Sequence, residues 1–236
     1  MGRGFRAVFF DLDDTLFDRR RAQRLMARRM MAELPALLGG LDPERVIAAF
    51  LESDGISEGD YKLSVPADEF RLHRMQSFLG LLGLGDERAG ELAGMYVTLY
   101  PNLDAPVTGA REVLGQLAGR CRLGMISNGL PDVQYTKLNA LGIRDRFECV
   151  VLSTEIGIGK PSPGIFAHAA SLLGTEPGEC IYIGDSCADD VLGAQAAGMA
   201  ACWFNPQGNP APQDAEPYPY FEVGALDELP SVLHCD

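Results

Sequence analysis

Asp11 and Asp13 stand two residues apart where an apolar, aromatic run, Phe5 to Phe10, ends abruptly in Asp-Leu-Asp-Asp-Thr. Further polar clusters follow other apolar runs: Ser127-Asn128-Gly129, Lys160-Pro161, and Gly184-Asp185 with Asp189-Asp190 close behind. A lone D-x-D means little in a chain with 33 acidic residues, but four polar clusters, each after a different apolar run, are hard to attribute to chance. Gathered in one crevice, Asp11, Asp13, Asp185 and Asp190 would repel by roughly 4 kcal/mol per pair at ~4 Å and an effective dielectric of about 20. Such a set requires counter-charge. Hard carboxylate oxygens without a His or Cys cluster suit Mg²⁺, which takes one or two carboxylates, waters and a phosphate. Lys160 adds another positive charge, and with Asp13 protonated the remaining carboxylates are balanced.

That combination serves phosphoryl transfer through an aspartyl-phosphate, in which a carboxylate nucleophile divides one difficult displacement into two. Asp11 would attack phosphorus. Asp13 would protonate the leaving oxygen and then accept a proton from the hydrolytic water. Ser127, the backbone N–H groups near Asn128 and Gly129, and Lys160 would hold the equatorial oxygens, helped by a helix starting near Pro131.

The elements that must position these groups follow from hydrophobic period. Phe5 to Phe10 reads as a buried strand. From Arg19 to about Leu103 apolar residues recur at three-to-four spacing, as in Leu25, Met26, Met30 and Leu34, then Phe70, Met75, Phe78 and Leu82. After Pro101 helices and strands alternate: helix Thr108–Leu117, strand Arg122–Ile126, helix Pro131–Leu141, strand Phe147–Leu152, helix Ser162–Leu173, strand Cys180–Ile183, helix Asp189–Ala197 and strand Ala200–Phe204. A Pro-rich loop, Asn205 to Pro219, and a short helix near Leu226–Leu233 complete the chain. This alternation means parallel βαβ units and a doubly wound α/β sheet. The long helical stretch between the first strand and the rest implies an all-helical cap domain, residues 18–103, inserted into a core of residues 1–17 and 104–236. Ligands bind beyond the carboxyl ends of such strands, so the cap is expected over the site.

With 47% hydrophobic and 22% charged residues, the 236-residue chain can bury a substantial core. Its net charge of −13 argues against a nucleic-acid partner. Its apolar runs fall short of a membrane span, and Asp11 interrupts the first before it can act as a signal-peptide core, so the mature chain is expected to start near Met1. Cys121, Cys149, Cys180, Cys187, Cys202 and Cys235 form no C-x-x-C pair and read as reduced thiols of a cytoplasmic protein.

The segments F-F-D-L-D-D-T-L-F-D, I-S-N-G, G-K-P-S-P-G-I-F and I-G-D-S-C-A-D-D-V-x-G-A-x-x-A-G, spread from Phe9 to Gly198, resemble the four signature motifs of the haloacid dehalogenase (HAD) superfamily. The resemblance implies a Rossmann-like core with an inserted helical cap, as in the phosphatase branch. It assigns Asp11 as nucleophile and metal ligand, and Asp13 as acid/base whose backbone carbonyl also reaches Mg²⁺. Ser127 and Lys160 become phosphate binders, beside the backbone N–H at Asn128 already read as a candidate phosphate binder, Asp185 the second metal ligand and Asp190 the last acidic position of the metal motif. The expected activity is Mg²⁺-dependent hydrolysis of a small phosphorylated metabolite, a nucleoside 5'-monophosphate or sugar phosphate first, by a monomer or homodimer. The alternatives are a 2-haloacid dehalogenase, which needs neither metal nor an acid/base partner, a phosphomutase on the same core, and a non-catalytic binding protein. A phospho-accepting receiver domain is disfavoured by the motif order.

Other residues have plainer readings. Asp14 fits turn chemistry, Thr15 would stabilise that turn and orient Asp13, and Asp189 is an extra acid at a helix start. Arg19, Arg20, Arg21, Arg24, Arg28 and Arg29 read as a solvated helix face, with a partner or substrate contact as the alternative. His73, His168 and His234 are scattered singly, and Cys187 is an inert small residue in the metal motif. Ser53 to Lys62, with Gly55 and Gly59, interrupts the helical pattern and is the candidate specificity loop.

Overall fold

β1 (Ala7–Phe10) is buried at every residue, as required of a central parallel strand covered on both faces. The computed structural model describes residues 4–57, 65–211 and 220–233. The chain divides into two compact units, one of residues up to Asp18 together with those from Pro106 on, the other Arg19–Ala105.

The Arg19–Ala105 unit contains α1 (Arg19–Glu33), α2 (Pro35–Leu38), α3 (Pro43–Ser57), α4 (Ala67–Leu82) and α5 (Ala89–Leu99), with no strand among its described residues. Phe50 and Phe78 meet edge-to-face at 5.4 Å. The Arg74 guanidinium lies 4.7 Å from the ring centroids of both Phe50 and Tyr96 and pairs with Asp54 at 2.9 Å. Arg19 and Gln23 also bind the Asp54 carboxylate. Thus Ser53 to Ser57, expected to open an irregular loop, continues α3, because Asp54 is anchored from two neighbouring helices. The remainder of that segment, from residue 58, lies outside the described residues. On α1, Arg24 and Arg28 reach Glu44, and Arg29 pairs with Glu33, all with exposed side chains.

The other unit holds α6 (Ala110–Leu117), β2 (Arg122–Ser127), α7 (Pro131–Ala140), β3 (Cys149–Leu152), α8 (Ser153–Ile156), α9 (Pro163–Leu172), β4 (Cys180–Gly184), α10 (Leu192–Ala196), β5 (Ala200–Phe204), β6 (Phe221–Val223) and α11 (Leu229–Leu233). The six strands form one parallel sheet in the order β3-β2-β1-β4-β5-β6. One side of its core combines Phe9, Ile126, Val151 and Tyr182 with Ile165, Phe166, Ala169 and Ala170 of α9. The sequence pattern missed β6. It has only three residues, two of them exposed, and a short edge strand needs no apolar alternation. Local detail also differs from the sequence reading. Val191 ends a widened, π-type turn, Cys187–Val191, so α10 begins at Leu192 rather than Asp189, and Arg144–Arg146 forms a 3₁₀ turn before β3.

Register then determines the site. Phe10 is level with Met125 on β2 and Ile183 on β4. Asp11, Ser127 and Asp185 therefore emerge at the carboxyl ends of three adjacent strands. Cys121, Cys149, Cys180, Cys187 and Cys202 are free thiols, and burial raises the pKa of the Cys187 thiol. No helix among the described residues is long and apolar enough to cross a membrane.

Candidate active site

Beyond β1 the chain folds into a tight turn centred on the Leu12 carbonyl, which accepts bonds from the N–H groups of Thr15, Leu16 and Phe17. Asp14 takes the left-handed region at φ 59°, which Asp tolerates better than most residues. Its N–H donates to the Phe17 carbonyl at 2.7 Å. This turn places Asp11, 5% exposed, and Asp13 at the end of the sheet.

Lys160 reaches Asp11 from the segment between α8 and α9. Asn128 braces that segment: its Oδ1 accepts from the Lys160 N–H at 2.8 Å and its Nδ2 donates to the Lys160 carbonyl at 3.0 Å. The Lys160–Pro161 peptide is cis. The buried ammonium donates to Asp11 Oδ1 and Asp190 Oδ1, each at 2.6 Å, and to the Tyr182 hydroxyl at 3.0 Å. Tyr182 in turn donates to the Ile126 carbonyl. Burial alone would depress the lysine pKa, but the Asp11 and Asp190 carboxylates hold it well above its usual range.

Asp11, Asp185 and Asp190 bring carboxylate oxygens within 4.8 Å of one another. Asp190 fits there because residue 184 is glycine. A Cβ at position 184 would lie 2.2 Å from Asp190 Oδ2, an oxygen that also accepts the Ser186 N–H at 3.0 Å. Ser186 Oγ accepts from the Asp189 N–H, and the Asp185 carbonyl accepts from the Trp203 indole. Burial and the adjacent Asp190 raise the Asp11 carboxyl to about 7 although Lys160 opposes them. Burial, then Asp11, Asp190 and Asp14, raise Asp185 to about 8, again against Lys160. Three carboxylates thus share one ammonium. A divalent cation would complete the neutralisation, and a donor set of hard oxygens fits one.

Asp13 stands outside that three-carboxylate group. Its Oδ1 accepts from Lys137 Nζ at 2.5 Å and its Oδ2 from Gln134 Nε2 at 2.8 Å. Thr15, expected to orient Asp13, is fully buried, and its hydroxyl has no hydrogen-bond partner among the described residues. Asn128, expected among the phosphate binders, gives both ends of its amide to the Lys160 backbone. Ser127 Oγ accepts from Gln134 Nε2 at 2.7 Å and from the Gly129 N–H at 3.1 Å. Both bonds use the hydroxyl as acceptor, so its proton remains available to an anion. Sequence reasoning missed Gln134, Lys137 and Tyr182. Their signal was weak: Gln134 and Lys137 lie at i, i+3 on the helix that follows Ser-Asn-Gly.

The model of the haloacid dehalogenase-like hydrolases matches residues 5–198. The chain belongs to that family. Among its HAD relatives, the N-acylneuraminate-9-phosphatase of Mus musculus is 28% identical over 232 residues, 97% of this chain and 93% of that enzyme. The pyrimidine 5'-nucleotidase of Escherichia coli is 31% identical over 145 residues, 61% of this chain and 64% of that enzyme. The HAD hydrolase YfnB of Bacillus subtilis shares the fold, with a TM-score of 0.82 at 24% identity, covering 98% of this chain and 100% of that one. The expected phosphoric monoester hydrolase acting on a small phosphorylated substrate therefore stands.

Proposed function

We propose that the protein is a Mg²⁺-dependent phosphomonoesterase that works through an aspartyl-phosphate on Asp11. The observation that carries this reading is the separation of two neighbouring carboxylates into different settings. Asp11 lies with Lys160 among the acidic group, whereas Asp13 lies with Lys137 and Gln134. Different environments for two acids are what a nucleophile and an acid/base require.

Asp11, Asp185 and Asp190 would hold the ion, with the Asp13 backbone carbonyl as the further ligand that the family resemblance implies. When bound, Mg²⁺ supplies charge that offsets crowding among the carboxylates and the phosphate. Asp11 attacks phosphorus as the bond to the leaving oxygen breaks, and Asp13 delivers a proton to that oxygen. In the second half, Asp13 takes a proton from water as the water attacks the phosphorus of the acyl phosphate, releasing inorganic phosphate and restoring Asp11. Ser127 donates to an equatorial oxygen. Lys160, with bonds to Asp11, Asp190 and Tyr182, acts on the substrate mainly by holding Asp11 as a carboxylate.

Within the small phosphorylated metabolites, a sugar or sugar-acid phosphate takes precedence over a nucleotide. The neuraminate phosphatase match extends over 97% of the chain, the nucleotidase match over 61%. Dehalogenation would leave the two-sided hold on Asp13 without a purpose. The test is a panel of sugar phosphates, nucleotides and p-nitrophenyl phosphate with Mg²⁺ or excess chelator. The expected result is phosphate release from sugar phosphates that chelation abolishes. Full turnover in chelator would reject the metal assignment, and preference for nucleoside monophosphates would reject the substrate class.

A further inference from the structure

We infer that Lys137 and Gln134 form a rigid clamp that positions Asp13 for proton transfer, an inference that rests on Asp13 being the acid/base. The two side chains lie three residues apart on α7, so they share one face of a helix that continues directly from the Ser127-Asn128-Gly129 turn. Lys137 is 2% exposed and Gln134 fully buried. Lysine is rarely buried without a dedicated anionic partner, and here the ammonium bonds Asp13 Oδ1 and sits 4.6 Å from the centroid of the Phe17 ring. Gln134 takes the other oxygen. With a donor held on each oxygen, rotation of the carboxylate plane would break at least one of these bonds.

Three observations separate this clamp from ordinary packing. A carboxylate only accepts, so the Gln134 amide must present its nitrogen to Asp13. The same nitrogen bonds Ser127 Oγ at 2.7 Å, so one amide links the acid/base to the phosphate-binding hydroxyl. The cost is visible at the other end, where Gln134 Oε1 is buried without a hydrogen-bond partner among the described residues, an arrangement native structures seldom tolerate. Gly129 also leaves the amide its space, since a Cβ there would lie 2.1 Å from Gln134 Nε2. Lys137 and Gln134 are thus positioning residues that act through Asp13 and Ser127.

The test compares the Mg²⁺-loaded wild type with Lys137→Met, Lys137→Arg, Asp13→Asn and the Lys137→Met/Asp13→Asn double variant. The substrates are a sugar phosphate turned over by the wild type and p-nitrophenyl phosphate, whose acidic phenol leaves without a proton. Misplacing a reacting group by about 1 Å costs on the order of 10²-fold. Lys137→Met should lose roughly 10- to 100-fold in kcat on the sugar phosphate with KM unchanged, and should show a rapid-quench burst of p-nitrophenol, because phosphorylation of Asp11 by that ester needs no proton whereas hydrolysis of the acyl phosphate needs the base. Lys137→Arg should recover part of the loss, and Lys137→Met should add nothing once Asp13 is Asn. Equal losses on both esters with raised KM, or a further loss in the double variant, would overturn the clamp. If Asp13→Asn itself fails to distinguish the two esters, the acid/base reading fails instead.

Discussion

A nucleophilic carboxylate must be ionised, yet burial and Asp190 hold the Asp11 carboxyl at about 7 despite Lys160, and Asp185 stands at about 8. Both acids bind protons more tightly in the folded chain than at their ordinary value of 3.8. From the ordinary carboxylate range up to about 8, the metal-free native state therefore carries more protons than the unfolded state, so their contribution to stability falls as pH rises through that window. Asn at position 11 has no proton to lose and removes one of three crowded charges. Asp11→Asn should abolish turnover, by at least ~10³-fold, as expected for loss of a covalent nucleophile. In chelator it should melt above the wild type, by a margin that widens from pH 5 to pH 8. Added Mg²⁺ should narrow that margin by stabilising only the wild type strongly. Thermal melts at both pH values, with and without Mg²⁺, provide the check; a margin that shrinks with pH would contradict the assigned crowding.

At the scale of elements, the site is made by strand ends and the loops they support. Its acidic half was legible in the sequence because Asp11 and Asp185 interrupt apolar runs, and parallel strands deliver such interruptions to one edge. The supporting half was not. Asn128 braces Lys160 from 32 positions away, and Gln134 and Lys137 meet Asp13 across more than 120; such pairings leave no periodic trace. The β4 end offers a test of how closely an element must fit its site. Gly184→Ala would drive a methyl to 2.2 Å from Asp190 Oδ2. Because the turn after Ser186 is tied to that same carboxylate, the acid cannot simply swing away. Overpacking of this kind costs about 1 to 3 kcal/mol, and displacement of Asp190 should weaken Mg²⁺ binding by about 10-fold or more, within the range seen when groups around a metal are disturbed. Denaturant titration and calorimetry measure the two effects. An alanine variant with wild-type Mg²⁺ affinity would show that Asp190 contributes nothing at the ion.

For the whole molecule, the division of the chain separates two kinds of stability. Every carboxylate of the proposed ion site, together with Lys160, Lys137, Gln134 and Ser127, belongs to the unit outside Arg19–Ala105. The helical unit has its own buried polar centre, where Arg74, 1% exposed, is held between the Phe50 and Tyr96 rings and against Asp54. Arg74→Met keeps the apolar stem but removes the ion pair and both ring contacts. Asp54 retains Arg19 and Gln23, so its carboxylate is not stranded, and the expected cost is about 2 to 4 kcal/mol rather than the upper end for a broken buried pair. That loss should be local. Amide exchange should accelerate across α3, α4 and α5, the helices that carry Asp54, Phe50, Arg74 and Tyr96, while Mg²⁺ affinity measured by calorimetry stays within about twofold of wild type. Exchange that accelerates equally in β1 and β4, with weakened Mg²⁺ binding, would mean that the two units unfold as one and that the site draws its rigidity from the insertion as well as from the sheet.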